Sequence, residues 1–116
     1  MKQCTVYDLG IIDYQASDFL QEKLLYCRKS DVISNVLLLL QHPPVFTIGR
    51  AGNDENVIAS KETLDKEGIS VFRIKRGGDV TCHAPGQLVG YPILKLRESG
   101  LSVHQYVWNL EEIIIR

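Results

Sequence analysis

The sequence predicts an α+β domain with a mixed, largely antiparallel sheet and flanking helices. Short apolar runs of strand length alternate with stretches of helical periodicity, and some of the runs are continuous while others are joined by turn residues. At 116 residues with 45% apolar content the chain buries one modest core, so residues 1–116 are expected to form a single domain.

Thr5 to Leu9 is the first expected strand, followed by a helix capped by Asp13 and running to about Lys29. Ile12, Ala16, Phe19, Leu20, Leu24 and Cys27 recur at helical spacing as its buried stripe, leaving Asp18, Gln21, Glu22 and Arg28 to water. Val36 to Leu40 is uninterrupted and apolar, as expected of a central strand covered on both faces. Pro43 and Pro44 cannot donate ladder hydrogen bonds and mark an edge or a crossing rather than a strand interior, before the extended pattern resumes over Val45 to Ile48.

Residues 49–53 read as a flexible loop with one fixed cation, Arg50, suited to a carboxylate, a phosphate or an acyl donor, or to a plain surface. Ser60 caps a short helix through Glu67, with Gly68 where a left-handed residue is easiest, and Ile69 to Ile74 forms a strand. Near the end, Ser102 and Gln105 make a capping box. Val103, Tyr106, Val107, Leu110, Ile113 and Ile114 are expected to form the buried stripe of the helix it opens, with Trp108 adding to the packing, and His104 is an exposed helix residue. That stripe continues to the last residues without a C-terminal cap, and further chain or another subunit is expected to cover it.

Charge and cysteine content narrow the function. Thirteen basic and fourteen acidic residues leave a net charge of -1, which gives no global field for nucleic acid or an anionic membrane. The amino terminus lacks a signal-peptide stretch, no apolar run is long enough to span a bilayer, and a cytoplasmic location is expected. Cys4, Cys27 and Cys82 show no C-x-x-C pair, against both a disulfide framework and a metal site.

The stretch least suited to a core is R-G-G-D-V-T-C-H-A-P-G-Q-L-V-G-Y, from Arg76 to Tyr91. Gly77 and Gly78 let a ligand approach main-chain N–H groups, and Pro85-Gly86 forces a second turn. Between the turns a short strand places Asp79, Thr81 and His83 on one face, with Val80 and Cys82 on the other. The polar trio with Gln87 is suited to orienting a carbonyl or amide, and the run Leu88 to Leu96 to forming an apolar wall. Spacing alone also permits an ordinary hairpin turn with a surface histidine.

The full string resembles the signature of the lipoate-pathway octanoyltransferases, R-G-G-x-x-T-x-H-x-P-G-Q-x-x-x-Y. It matches at Arg76, Gly77, Gly78, Thr81, His83, Pro85, Gly86, Gln87 and Tyr91, and departs at Ala84, where the family usually has glycine. Upstream, H-P-P-V-F-T-I-G-R from His42 to Arg50 resembles a second segment of that family. The resemblance implies the fold of the biotin and lipoate protein ligase catalytic domain, with this chain as its N-terminal portion.

It further implies transfer of an octanoyl group, without ATP or another cofactor, from acyl carrier protein to a lysine of a lipoyl domain. Such domains occur in the 2-oxoacid dehydrogenases and the glycine cleavage H protein. In the family an acyl-cysteine carries the group, with a lysine nearby that favours the thiolate. Both residues belong to the second half of a chain about twice this length. The downstream P-C-G pattern is absent from residues 1–116, so no catalytic nucleophile is expected in this chain and the chain alone is expected to be inactive.

For the retained half, the resemblance implies that Arg76, Gly77, Gly78, Asp79, Val80, Thr81, Cys82 and His83 line the substrate site, supported by Gly86, Gln87, Tyr91 and Arg50. The glycine N–H groups are candidates for the thioester oxygen. His83 either bonds the acyl carbonyl or positions the incoming amine. The cations Arg73, Lys75 and Arg76 form either a solvated strand end or a contact with acidic carrier protein. Cys82 is turned away from Thr81 and His83 and is not expected to be the nucleophile. The competing classes are an ATP-using lipoate or biotin ligase and a non-catalytic acyl or carrier-protein binding module.

Overall fold

The computed structural model describes residues 3–50, 52, 60–74 and 77–115. Lys75, Arg76 and part of the loop after Arg50 lie outside them.

Among the described residues ten elements follow one another: β1 (Cys4–Ile11), α1 (Tyr14–Lys29), β2 (Asn35–Gln41), β3 (Val45–Ile48), α2 (Lys61–Lys66), β4 (Ser70–Arg73), β5 (Val80–His83), β6 (Val89–Ile93), α3 (Leu96–Ser99) and α4 (Val103–Ile115). They build two three-stranded sheets, ordered β1-β2-β6 and β4-β3-β5. Each sheet is mixed. β1 runs parallel to β2 and β6 antiparallel to it, while β3 pairs parallel with β4 and antiparallel with β5. The α+β class is as the sequence predicts, with parallel and antiparallel pairings equally represented among the described strands.

The link from the first sheet to the second is the Pro43-Pro44 segment. With no N–H to offer, the prolines end β2 and release the chain into β3. The main core lies on one face of the first sheet, where Val36, Leu38, Leu40 and Ile93 are buried and Leu20 and Leu24 of α1 pack against them. Period-two alternation turns Leu37 and Leu39 to the other face, where they are half-buried.

The helix starts follow their local chemistry. The Asp13 carboxylate accepts from the Ala16 amide, the Ser60 hydroxyl from that of Thr63, and Ser102 and Gln105 close their box from both sides. Gly68 takes a φ of 70° just past α2, in the left-handed region as expected.

Three expectations about side chains are corrected. Phe19 is 61% exposed and Ala16 is also exposed, so the buried stripe of α1 narrows to Ile12, Leu20, Leu24 and Cys27, together with the buried Ser17. Arg28 is not turned to water but is 6% exposed. Its guanidinium bonds Asn35 Oδ1 at 2.8 Å, the Ile33 carbonyl at 3.1 Å, Asp31 at 3.1 Å and Glu98 at 2.8 Å, tying α1 to β2 and α3. The stripe of α4 keeps its register but not its burial. Val103, Val107, Leu110, Ile113 and Ile114 are all exposed, and only Tyr106 of that set is half-buried. Periodicity defines a face, whereas burial needs a second surface against it. Among the described residues no helix is long and apolar enough to cross a membrane.

Candidate functional site

The two sheets meet around five rings contributed by five different parts of the chain. Tyr14 opens α1, His42 follows β2, Phe72 lies in β4, His83 ends β5 and Tyr91 lies in β6. Tyr14 stacks on Phe72 at 5.7 Å and lies nearly parallel to His83 at 6.5 Å, while His42 meets His83 edge-on at 5.5 Å.

A cleft of about 440 Å³ opens beside these rings, lined by Thr47, Thr81, His83, Val89 and Tyr91, with Tyr14, Asp18 and Gln21 of α1 on one side. Its size falls within the range of small-molecule sites. Strand register explains the convergence. Thr81 sits opposite the fully buried Thr47 in the β3–β5 ladder, and His83, two residues on, faces the same way.

The proton positions follow from the acceptors. His42 is fully buried, and its Nδ1 lies 2.8 Å from the Ile12 carbonyl, which can only accept. Nδ1 therefore carries a proton, and Nε2 accepts from the Tyr91 hydroxyl at 2.8 Å. Burial lowers the His42 pKa, aided by the neighbouring His83, which keeps the ring neutral. The same burial pushes the Tyr91 phenol up to about 12.

His83 is held by the turn that follows it. Its Nδ1 lies 2.7 Å from Gln87 Oε1. The turn runs from Ala84 to Gln87, closed by the Gln87 amide to the Ala84 carbonyl at 3.1 Å. Pro85 fixes its first central position and Gly86, at a φ of 95°, its second. The Gly86 amide donates to Gln41 Oε1 at 2.7 Å, anchoring the turn to the end of β2.

Of the residues predicted from the sequence, Thr81, His83 and Tyr91 line the cleft, and Gln87 and Gly86 brace it from behind. Cys82 is exposed, paired with Phe46 on the alternate face of β5. Val80 is half-buried opposite Ile48. Gly77, Gly78 and Asp79 form an exposed bend before β5, where the Asp79 carbonyl accepts from the Gly49 amide at 2.8 Å. β5 alone extends roughly 10 Å from Val80 to His83 at the usual strand rise. Arg50 is exposed, and Arg76 lies outside the described residues.

The sequence reasoning passed over His42, Tyr14 and Thr47 as site residues. His42 carried a signal, since it opens the H-P-P motif, but nothing local shows that its ring bonds a tyrosine 49 positions away.

The architecture is that of a ligase-type catalytic domain. Among solved structures, P. falciparum LipL1 in complex with lipoate superposes with a TM-score of 0.54 at 17% identity, covering 76% of this chain and 29% of that one. Protein Ta0514 of T. acidophilum gives 0.56 at 17% identity, covering 78% and 37%. Residues 13–116 match the family model of the lipoyl protein ligase A/B catalytic domain. The octanoyltransferase of Caldicellulosiruptor saccharolyticus is 50% identical over 107 residues, covering 92% of this chain and 46% of that protein. That of Solibacter usitatus is 49% identical over 115 residues, covering 99% and 52%. The chain belongs to the lipoyl protein ligase A/B catalytic-domain family, and it spans about half the length of the curated relatives it matches.

Proposed function

We propose that this chain forms one wall of an octanoyltransferase site that moves an octanoyl group from acyl carrier protein to a lysine of a lipoyl domain. The supporting observation is the cleft itself. It places His83 and Thr81 of the family signature beside a neutral His42–Tyr91 pair in a space of about 440 Å³. The reaction has two steps. A cysteine thiolate attacks the donor thioester and expels the phosphopantetheine thiolate, and the acceptor amine then attacks the acyl-cysteine and releases the cysteine. The cysteine and its lysine partner come from sequence outside residues 1–116. The reacting carbon sits at the His83 end of β5, and Gly77 and Gly78 contact a part of the donor farther along. The lipoyl domains are those of the 2-oxoacid dehydrogenases and the glycine cleavage H protein, in the cytoplasm.

A full-length octanoyltransferase carrying these residues, supplied with octanoyl acyl carrier protein and a lipoyl domain, is expected to octanoylate the domain without ATP, as read by intact mass. Residues 1–116 alone are expected to give no turnover. ATP-dependent pyrophosphate exchange with octanoate, and no transfer from the carrier thioester, would establish an adenylate-forming ligase instead.

A further inference from the structure

Where β2 ends, Gln41 and His42 tie together chain ends from both sheets. The Gln41 carbonyl accepts from the Ile12 amide at 2.8 Å, and His42 Nδ1 lies 2.8 Å from the Ile12 carbonyl, so the exit of β1 is fixed to this point. His42 Nε2 carries the link to Tyr91 of β6. The Gln41 side chain makes a further connection, in which its Oε1 accepts from the Gly86 amide at 2.7 Å, 45 positions along the chain. A backbone N–H can only donate, so this bond also settles which way round the Gln41 amide lies.

The bond to Gly86 holds the turn that carries His83. β5 lies in one sheet and β6 in the other, so the turn from Ala84 to Gln87 crosses between them. Pairing with Val45 sets the backbone of His83, whereas its ring is set by Gln87, whose Oε1 lies 2.7 Å from Nδ1. Oε1 can only accept, so the neutral ring carries its proton on Nδ1. Gln87 follows Gly86 directly, and a displaced turn therefore takes the Gln87 oxygen and the ring with it. A misplacement of about 1 Å at a reacting centre can cost as much as about a hundredfold in rate.

We propose that Gln41 is a positioning residue for octanoyl transfer, its side-chain oxygen setting the His83 ring at the cleft by way of the Gly86 amide and Gln87. The inference rests on the octanoyl-transfer reading above. Gln41 stands one residue before the H-P-P segment, outside both strings that carry the family resemblance, and is not among the described residues that line the cleft. Its effect on the reaction passes through His83.

In a full-length octanoyltransferase carrying these residues, Gln41→Leu is expected to lower kcat about tenfold with KM changed by no more than about twofold. Gln41→Glu, which keeps an acceptor oxygen at the same reach, should recover most of the rate. Gln41→Asn, polar but one methylene shorter, should resemble Gln41→Leu and replaces it if that variant does not fold. Nitrogen-15 imidazole spectra above the histidine titration range should show the Nδ1 proton of His83 retained in Gln41→Glu and the preference lost in the other two. Arg28→Lys, a substitution remote from the cleft, serves as the control for lowered stability alone and should leave kcat and the His83 spectrum unchanged. Full kcat in Gln41→Leu or Gln41→Asn, a fall in kcat with the His83 spectrum unaltered, or no recovery in Gln41→Glu would overturn the assignment. Absence of transfer by the unsubstituted protein would remove the octanoyl-transfer reading and the catalytic role of Gln41 with it, while the His83 spectra would still decide whether Gln41 sets the ring.

Discussion

The Tyr91 hydroxyl donates to His42 Nε2 at 2.8 Å, joining β6 of one sheet to the crossing that leads into the other. Tyr91→Phe leaves that nitrogen buried without a donor. A loss of about 1–3 kcal/mol is expected, typical of a stranded buried polar atom, as measured by urea denaturation.

The same pair contributes to both limbs of the stability profile. Tyr91 titrates near 12 in the folded chain against 10.0 for an ordinary tyrosine, so the folded state holds the extra proton between those values. Its contribution is complete below pH 10 and fades as pH rises toward 12. For His42 the folded pKa lies below 6.5, so the unfolded chain binds more protons in acid. Stability from this group is present above pH 6.5 and is lost as pH falls through the folded value. His42→Asn should flatten the acid limb and Tyr91→Phe the alkaline one, both read from urea midpoints across pH.

His83 and Cys82 are neighbours on opposite faces of β5, and they are expected to behave differently. His83→Ala in a full-length octanoyltransferase should slow transfer by roughly a hundredfold, the low end for loss of a general acid or base, with little change in melting temperature. Cys82→Ala should leave acyl binding and transfer within twofold. Octanoylation of Cys82, detected by peptide mass spectrometry, would contradict this placement of the nucleophile.

Gly86 has open space around it but a φ of 95°, so the cost of a side chain there is conformational rather than steric. Gly86→Ala is expected to destabilise by about 1–2 kcal/mol. It should also loosen the hold of Gln87 on His83, giving a lower urea midpoint together with a mixed His83 tautomer in nitrogen-15 spectra.

Arg28 is a structural node remote from the cleft. Lys95 chiefly, and Arg28 with it, hold the Asp31 carboxyl below its usual range, while Arg28 also donates to the Ile33 carbonyl and shares Asn35 Oδ1 with the Lys95 amide. Arg28→Lys keeps the charge but not the planar fork. It should cost about 1–3 kcal/mol through the bonds lost among Asn35, the Ile33 carbonyl and Glu98, measured by urea denaturation, with transfer kinetics unchanged.

What the sequence by itself determined is local. The caps at Asp13, Ser60 and Ser102, the proline crossing at 43–44 and the turn at Pro85-Gly86 depend on side chains within a few residues, and each stands where the sequence predicts it. Alternation along β5 also settled which of Thr81, Cys82 and His83 share a face. Tertiary structure alone decided which faces are covered. Helical periodicity could not tell that Arg28 would be buried by Asn35 and Glu98, or that the stripe of α4 would stay exposed. Nor could it place His42 against Tyr91, since the proton positions around His83 and His42 are set by acceptors brought together from Ile12, Gln87 and β6. Hydrogen-bond direction is a property of pairs in space, and a chain read in order shows only one member of each pair at a time.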